Sequence, residues 1–91
     1  MRVIGMYDVD QFCSRQPAAR AAIDALLAII HRAEWRNTQQ AQHQFGASGH
    51  IDGPNKIRVE MPEHGVRVEM VADFRDGAVR LKLSPRPKKA S

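Results

Sequence analysis

The chain reads as an α+β domain, with an N-terminal strand and two to three helices packed on one face of an antiparallel sheet. Two observations predict this. In the first half, Ile23, Leu26, Leu27 and Ile30 fall at i, i+3, i+4 and i+7, one apolar face of a helix. From Lys56 onward the period drops to two, and Ile57, Val59 and Met61 alternate with Lys56, Arg58 and Glu60. Helical and strand patterns that occupy separate halves of a chain give α+β rather than an alternating α/β fold. With 91 residues there is room for one hydrophobic core.

Each element has its own local signal. Arg2-Val3-Ile4 is a short strand candidate closed by Gly5. Asp8 and Gln11 have capping-box spacing, which predicts a short helix through about Arg15. Pro17 suits the first turn of the second helix, where its missing N–H costs nothing. Ala19, Ala22 and Ala33 widen that helix's apolar face, and Arg20, Asp24, His31 and Arg32 lie elsewhere on it. Asn37 with Gln40 predicts the cap of a third helix, ending at Phe45-Gly46. Residues 47–54, broken by Gly49, Gly53 and Pro54, are expected to be a loop.

Three strands follow. After the turn Pro62-Glu63-His64-Gly65, Val66, Val68, Met70, Ala72 and Phe74 alternate with Arg67, Glu69, Val71 and Asp73. Asp76-Gly77 is a strong hairpin signal, and Val79, Leu81 and Leu83 then alternate with Arg80 and Lys82. One face of this meander is apolar and must be covered by the helices. The other carries Lys56, Arg58, Arg67, Arg80 and Lys82 together with Glu60, Glu69 and Asp73. The domain spans 1–84. Residues 85–91 form a proline-broken basic tail, expected to be disordered, in which Arg86, Lys88 and Lys89 are either a phosphate-binding arm or solubilising charges.

Charge is distributed unevenly. Residues 1–54 hold five arginines against five acids, whereas residues 55–91 hold nine basic residues against five acids. The whole net charge of +4 therefore sits in the strand-forming half. Such a half attracts phosphate by counterion release, and attracts an acidic protein partner equally well. The single cysteine, Cys13, cannot form an internal disulfide, in keeping with a cytoplasmic location, and reads as a buried thiol. No stretch approaches a membrane span. The four histidines (His31, His43, His50 and His64) lack zinc-ligand spacing with the cysteine, so no metal is expected. His64, in a turn at the sheet's end, is the histidine to test for catalysis. Trp35, ending an amphipathic helix, reads as a core plug rather than a base-stacking platform.

The order of elements, together with Met1-Arg2-Val3-Ile4, Pro17, Ala33-Glu34-Trp35-Arg36-Asn37, Asn55-Lys56-Ile57-Arg58-Val59 and His64-Gly65-Val66-Arg67-Val68, resembles the HigB-type toxins of the RelE superfamily. The resemblance implies a metal-independent mRNA endoribonuclease with no cofactor. Such a toxin acts on message in the ribosome and is silenced by a helix-turn-helix antitoxin. It also implies, for this one residue, that Arg67 steadies the phosphate. On the same charged face Lys56, Arg58, Arg80 and Lys82 could assist, with Lys82 as a conceivable acid or base. Family members follow the last strand with threonine-histidine-x-glutamate-tyrosine-aspartate, where this chain has Ser84-Pro85-Arg86-Pro87. That substitution opens an alternative: a catalytically inactive toxin-fold binder. Its partner would be a host nucleic-acid-processing complex, as for a phage or mobile-element inhibitor of the anti-CRISPR kind, or an antitoxin bound as a decoy.

Overall fold

The computed structural model describes residues 1–85. Three α-helices cover one face of a five-stranded sheet with order β1-β5-β4-β3-β2. The elements run β1 (Arg2–Ile4), α1 (Met6–Arg15), α2 (Arg20–Arg32), α3 (Thr38–Phe45), β2 (Gly49–Gly53), β3 (Lys56–Met61), β4 (Val66–Asp73) and β5 (Ala78–Pro85). Arg86, Lys88 and Lys89 lie outside the described residues. No helix among the described residues is long and apolar enough to cross a membrane.

The meander appears as the alternation predicts, and β3, β4 and β5 pair antiparallel in sequence order. The sheet as a whole is mixed rather than antiparallel, because β1 runs parallel to β5, with Val3 opposite Val79. A parallel pair needs a long crossover, and here the helices and the other strands supply it. Residues 47–54 are not a simple loop. Gly49–Gly53 forms edge strand β2, antiparallel to β3, with a register shift between Ile51 and Gly53 that makes Asp52 a bulge residue. Glycines at both ends of a five-residue strand masked its alternation.

The first helix begins earlier than its capping-box spacing suggests. Gly5, at φ +86°, turns the chain from β1 directly into α1, and no side chain caps the helix. Asp8 lies inside the first turn instead, where its negative charge suits the helix dipole. Pro17 occupies a 3₁₀ turn, Pro17–Ala19, that leads straight into α2. The cap of α3 is as predicted. Asn37 Oδ1 accepts from Gln40 N at 2.9 Å, and Gln40 Oε1 accepts in return from Arg36 N at 2.7 Å. In the last hairpin, Asp73 Oδ1 accepts from the backbone N–H of Arg75 and Asp76, and Gly77 takes φ +66°.

One core joins the helices to the inner sheet face. Ile23, Leu26, Leu27 and Ile30 of α2 are buried together with Val9, Phe12 and Cys13 of α1. Ile57, Val59, Val68, Met70, Val79 and Leu81 face them from the sheet. Trp35 is buried, stacks edge-on against Phe45 with ring centroids 5.5 Å apart, and donates from Nε1 to Gln44 Oε1 at 2.9 Å. Trp35 and Cys13 are thus core residues, as the sequence predicts.

Candidate functional site

The helices leave the second sheet face open, and strand register arranges its side chains in rows. Nearest the β4–β5 hairpin, Arg2 lies opposite Ala78, which pairs with Asp73. The next row runs Ile4, Arg80, Val71, Lys56 across β1, β5, β4 and β3. The row after that runs Lys82, Glu69, Arg58, His50 across β5, β4, β3 and β2. The last runs Ser84, Arg67, Glu60. Lys56, Arg58, Arg67, Arg80 and Lys82 therefore share one surface, as their alternation requires.

Glu60 divides these cations into two groups. Its side chain is only 10% exposed, and its Oε1 accepts from Arg67 Nε at 2.8 Å and lies 3.4 Å from Arg58 Nε. Arg58 Nε also lies 3.5 Å from Asp52 Oδ2 on the bulge of β2. That nitrogen is buried and makes no hydrogen bond within standard geometry, so its interactions are those of an ion pair. The chain Asp52–Arg58–Glu60–Arg67 thus links three strands through alternating charges. Arg67 has its Nε committed to an internal carboxylate.

Lys56, Arg80 and Lys82 make no ion pair among the described residues. They border a hollow of about 280 Å³ on the open face, with Val71 between Lys56 and Arg80 and Glu69 beside Lys82. Arg80 also borders a second hollow of about 450 Å³, which reaches Ile4, Ala78 and Phe74 at the β1 edge.

The histidines are dispersed. His64 is exposed in the 3₁₀ turn Pro62–His64 between β3 and β4, at the Arg67 end of the sheet. His50, expected in a loop, instead stands opposite Arg58 on β2. The signal for it was the alternation His50-Ile51-Asp52, in which Ile51 pairs with inward-facing Ile57. Among the described residues no cluster of three or more histidine, cysteine or acidic side chains could hold a metal ion.

None of the comparisons with protein-family models, curated proteins and solved structures finds a match to this chain. The open face offers cations for phosphate and an exposed imidazole at its edge. Among the described residues, the register partners of Arg67 are Glu60 and Ser84.

Proposed function

We propose that this chain is a HigB-like toxin-fold protein that binds RNA at the ribosome through the open face of its sheet, with endoribonuclease activity weak or absent. The observation that carries the reading is the collection of Lys56, Arg58, Arg67, Arg80 and Lys82 on one surface, opposite the helices. Side chains that alternate along three paired strands sum their fields over one face, which steers and holds a polyphosphate. The family resemblance of residues 1–84 supplies the partner: message in the ribosome, with a helix-turn-helix antitoxin as its silencer.

Binding is tested by fluorescence anisotropy with a labelled single-stranded RNA and by co-sedimentation with 70S ribosomes. Salt-dependent binding to both is expected, with log affinity falling by about 0.7 per phosphate contact for each decade of salt. RNA affinity absent even at low ionic strength overturns the proposal.

A second reading, the non-catalytic inhibitor of a host nucleic-acid machine or antitoxin decoy, is favoured by the Glu60–Arg67 contact at 2.8 Å. An internal carboxylate on the phosphate-matched arginine suits a scaffold that has kept its fold and turned to protein partners. A pull-down that recovers a nucleic-acid-processing complex or an antitoxin, from a chain that does not bind ribosomes, selects this reading.

A further inference from the structure

We infer that the anion-binding centre of the open face lies over Val71, between Lys56 and Arg80, rather than at Arg67, and that its occupant is the phosphate backbone of single-stranded RNA. This rests on the RNA-binding reading above and assigns its site. The centre is displaced from Arg67 by four residues along β4, about 13 Å.

Three features support the location. Lys56 and Arg80 pair on either side of Val71, so their backbones stand two strands apart, about 10 Å, and both side chains can lean over the same residue. Neither cation is engaged by an acid among the described residues, whereas Arg58 and Arg67 both face Glu60. A guanidinium whose charge is already offset by a nearly buried carboxylate gains less from a phosphate than an unpaired cation does. Finally, the residues here are concave. Lys56, Val71, Arg80 and Lys82 line the 280 Å³ hollow together with Asp52, which pairs with Arg58, and Glu69, and a second hollow on the other side of Arg80 reaches Ile4 and Asp73.

The occupant follows from the surface chemistry. Ile4 is 38% exposed and Val71 40%, and the row reads apolar, cation, apolar, cation from β1 to β3. A single strand presents the same mixture, with phosphates for the cations and base faces for the apolar patches. No aromatic ring lies in this row, so contacts to bases are apolar and sequence-tolerant. Glu69 works against the centre, since it stands beside Lys82 and makes no ion pair among the described residues that would neutralise it.

The test measures anisotropy of labelled oligouridine across a salt series, using the full chain and the variants Lys56→Ala/Arg80→Ala, Arg80→Ala, Arg67→Gln and Glu69→Gln. Circular dichroism and urea melts accompany each variant. The Lys56→Ala/Arg80→Ala variant is expected to lose about tenfold or more in affinity and to reduce the salt slope by about 1.4, two single-strand phosphate contacts. Arg67→Gln is expected to lose less affinity than Arg80→Ala alone, and Glu69→Gln to tighten binding. If wild-type protein binds RNA and the double variant binds equally well, the site is overturned while RNA binding stands. If the wild type binds poly-glutamate but no RNA, both the occupant and the proposed function are overturned.

Discussion

Arg67 Nε donates to Glu60 Oε1 at 2.8 Å, across the β3–β4 pair in which the two residues are register partners. The same oxygen faces Arg58 Nε at 3.4 Å, so one carboxylate holds two guanidiniums on a face that also carries Glu69 and Asp73. Replacing Glu60 with Ala should cost about 1–3 kcal/mol, because both guanidiniums lose their nearest acid while remaining partly hydrated. The exposure of Arg58 and Arg67, 32% and 40%, keeps the loss below that of a fully buried pair. A urea melt measures it, and a loss under about 0.3 kcal/mol would identify a solvent-screened contact.

Arg67→Glu sets a second carboxylate directly opposite Glu60 in the register. Like charges facing each other across an antiparallel pair destabilise it. This variant should therefore melt at lower urea than Arg67→Gln, and Arg67→Gln is the cleaner probe of binding. Equal midpoints for the two variants would show that Glu60 and Arg67 do not sense one another in solution.

Leu27 is 7% exposed on the stripe of α2 that packs into the core. Leu27→Ala should cost about 2–5 kcal/mol, the transfer term of the lost methyl groups plus a residual cavity. Much of a small domain's stability would go with it. The checking measurement is the urea midpoint, and a cost below about 1 kcal/mol would mean that α2 docks through other residues.

The legible parts of this fold are those where periodicity is long and one-sided. Ile23, Leu26, Leu27 and Ile30 marked α2, and the alternation from Val66 to Asp73 marked β4, because each pattern repeats over several turns or residue pairs. The Asn37 cap was legible because its partner Gln40 is local. Strand β2 was not, since it spans five residues bounded by Gly49 and Gly53, and only its pairing with β3 makes it a strand. The cation face followed from alternation, but the pairing of Arg67 with Glu60 rather than Glu69 depends on inter-strand register, which single-strand patterning does not encode.

Gly49 is where that missed strand meets the helices. A Cβ placed there would lie 3.0 Å from Phe45 Cβ and 3.3 Å from the Gln42 carbonyl oxygen, so α3 can approach β2 only over a glycine. Gln42 Nε2 reinforces the contact by donating to Gly49 O at 3.3 Å. Gly49→Ala should destabilise the domain by about 1–3 kcal/mol through overpacking. Native-state hydrogen exchange should then show β2 amides opening faster than those of β4. Unchanged exchange and stability would mean that α3 shifts without cost.

Cleavage of RNA by its own 2′-hydroxyl requires a base, a cation for the developing phosphate charge, and an acid for the leaving 5′-oxygen. Arg67 can supply only the second, and does so against the pull of Glu60. Its other register partner is Ser84, followed by Pro85 at the end of β5, where the resembling family carries histidine and tyrosine. His50 is two strands away on β2, beside Arg58. A general acid or base contributes about 10²–10⁴-fold in rate, so without that histidine and tyrosine transcripts should stay intact unless His64, in the turn before β4, Lys82 or Lys88 takes over the proton transfer. Primer extension on RNA from bacteria expressing the protein should therefore show no new ends within translated codons. Strong new ends abolished by Arg67→Ala would restore a catalytic role to that arginine. Ends abolished instead by His50→Ala would move the chemistry to the β2 edge, with the imidazole and Arg58 as its acid–base and cationic partners.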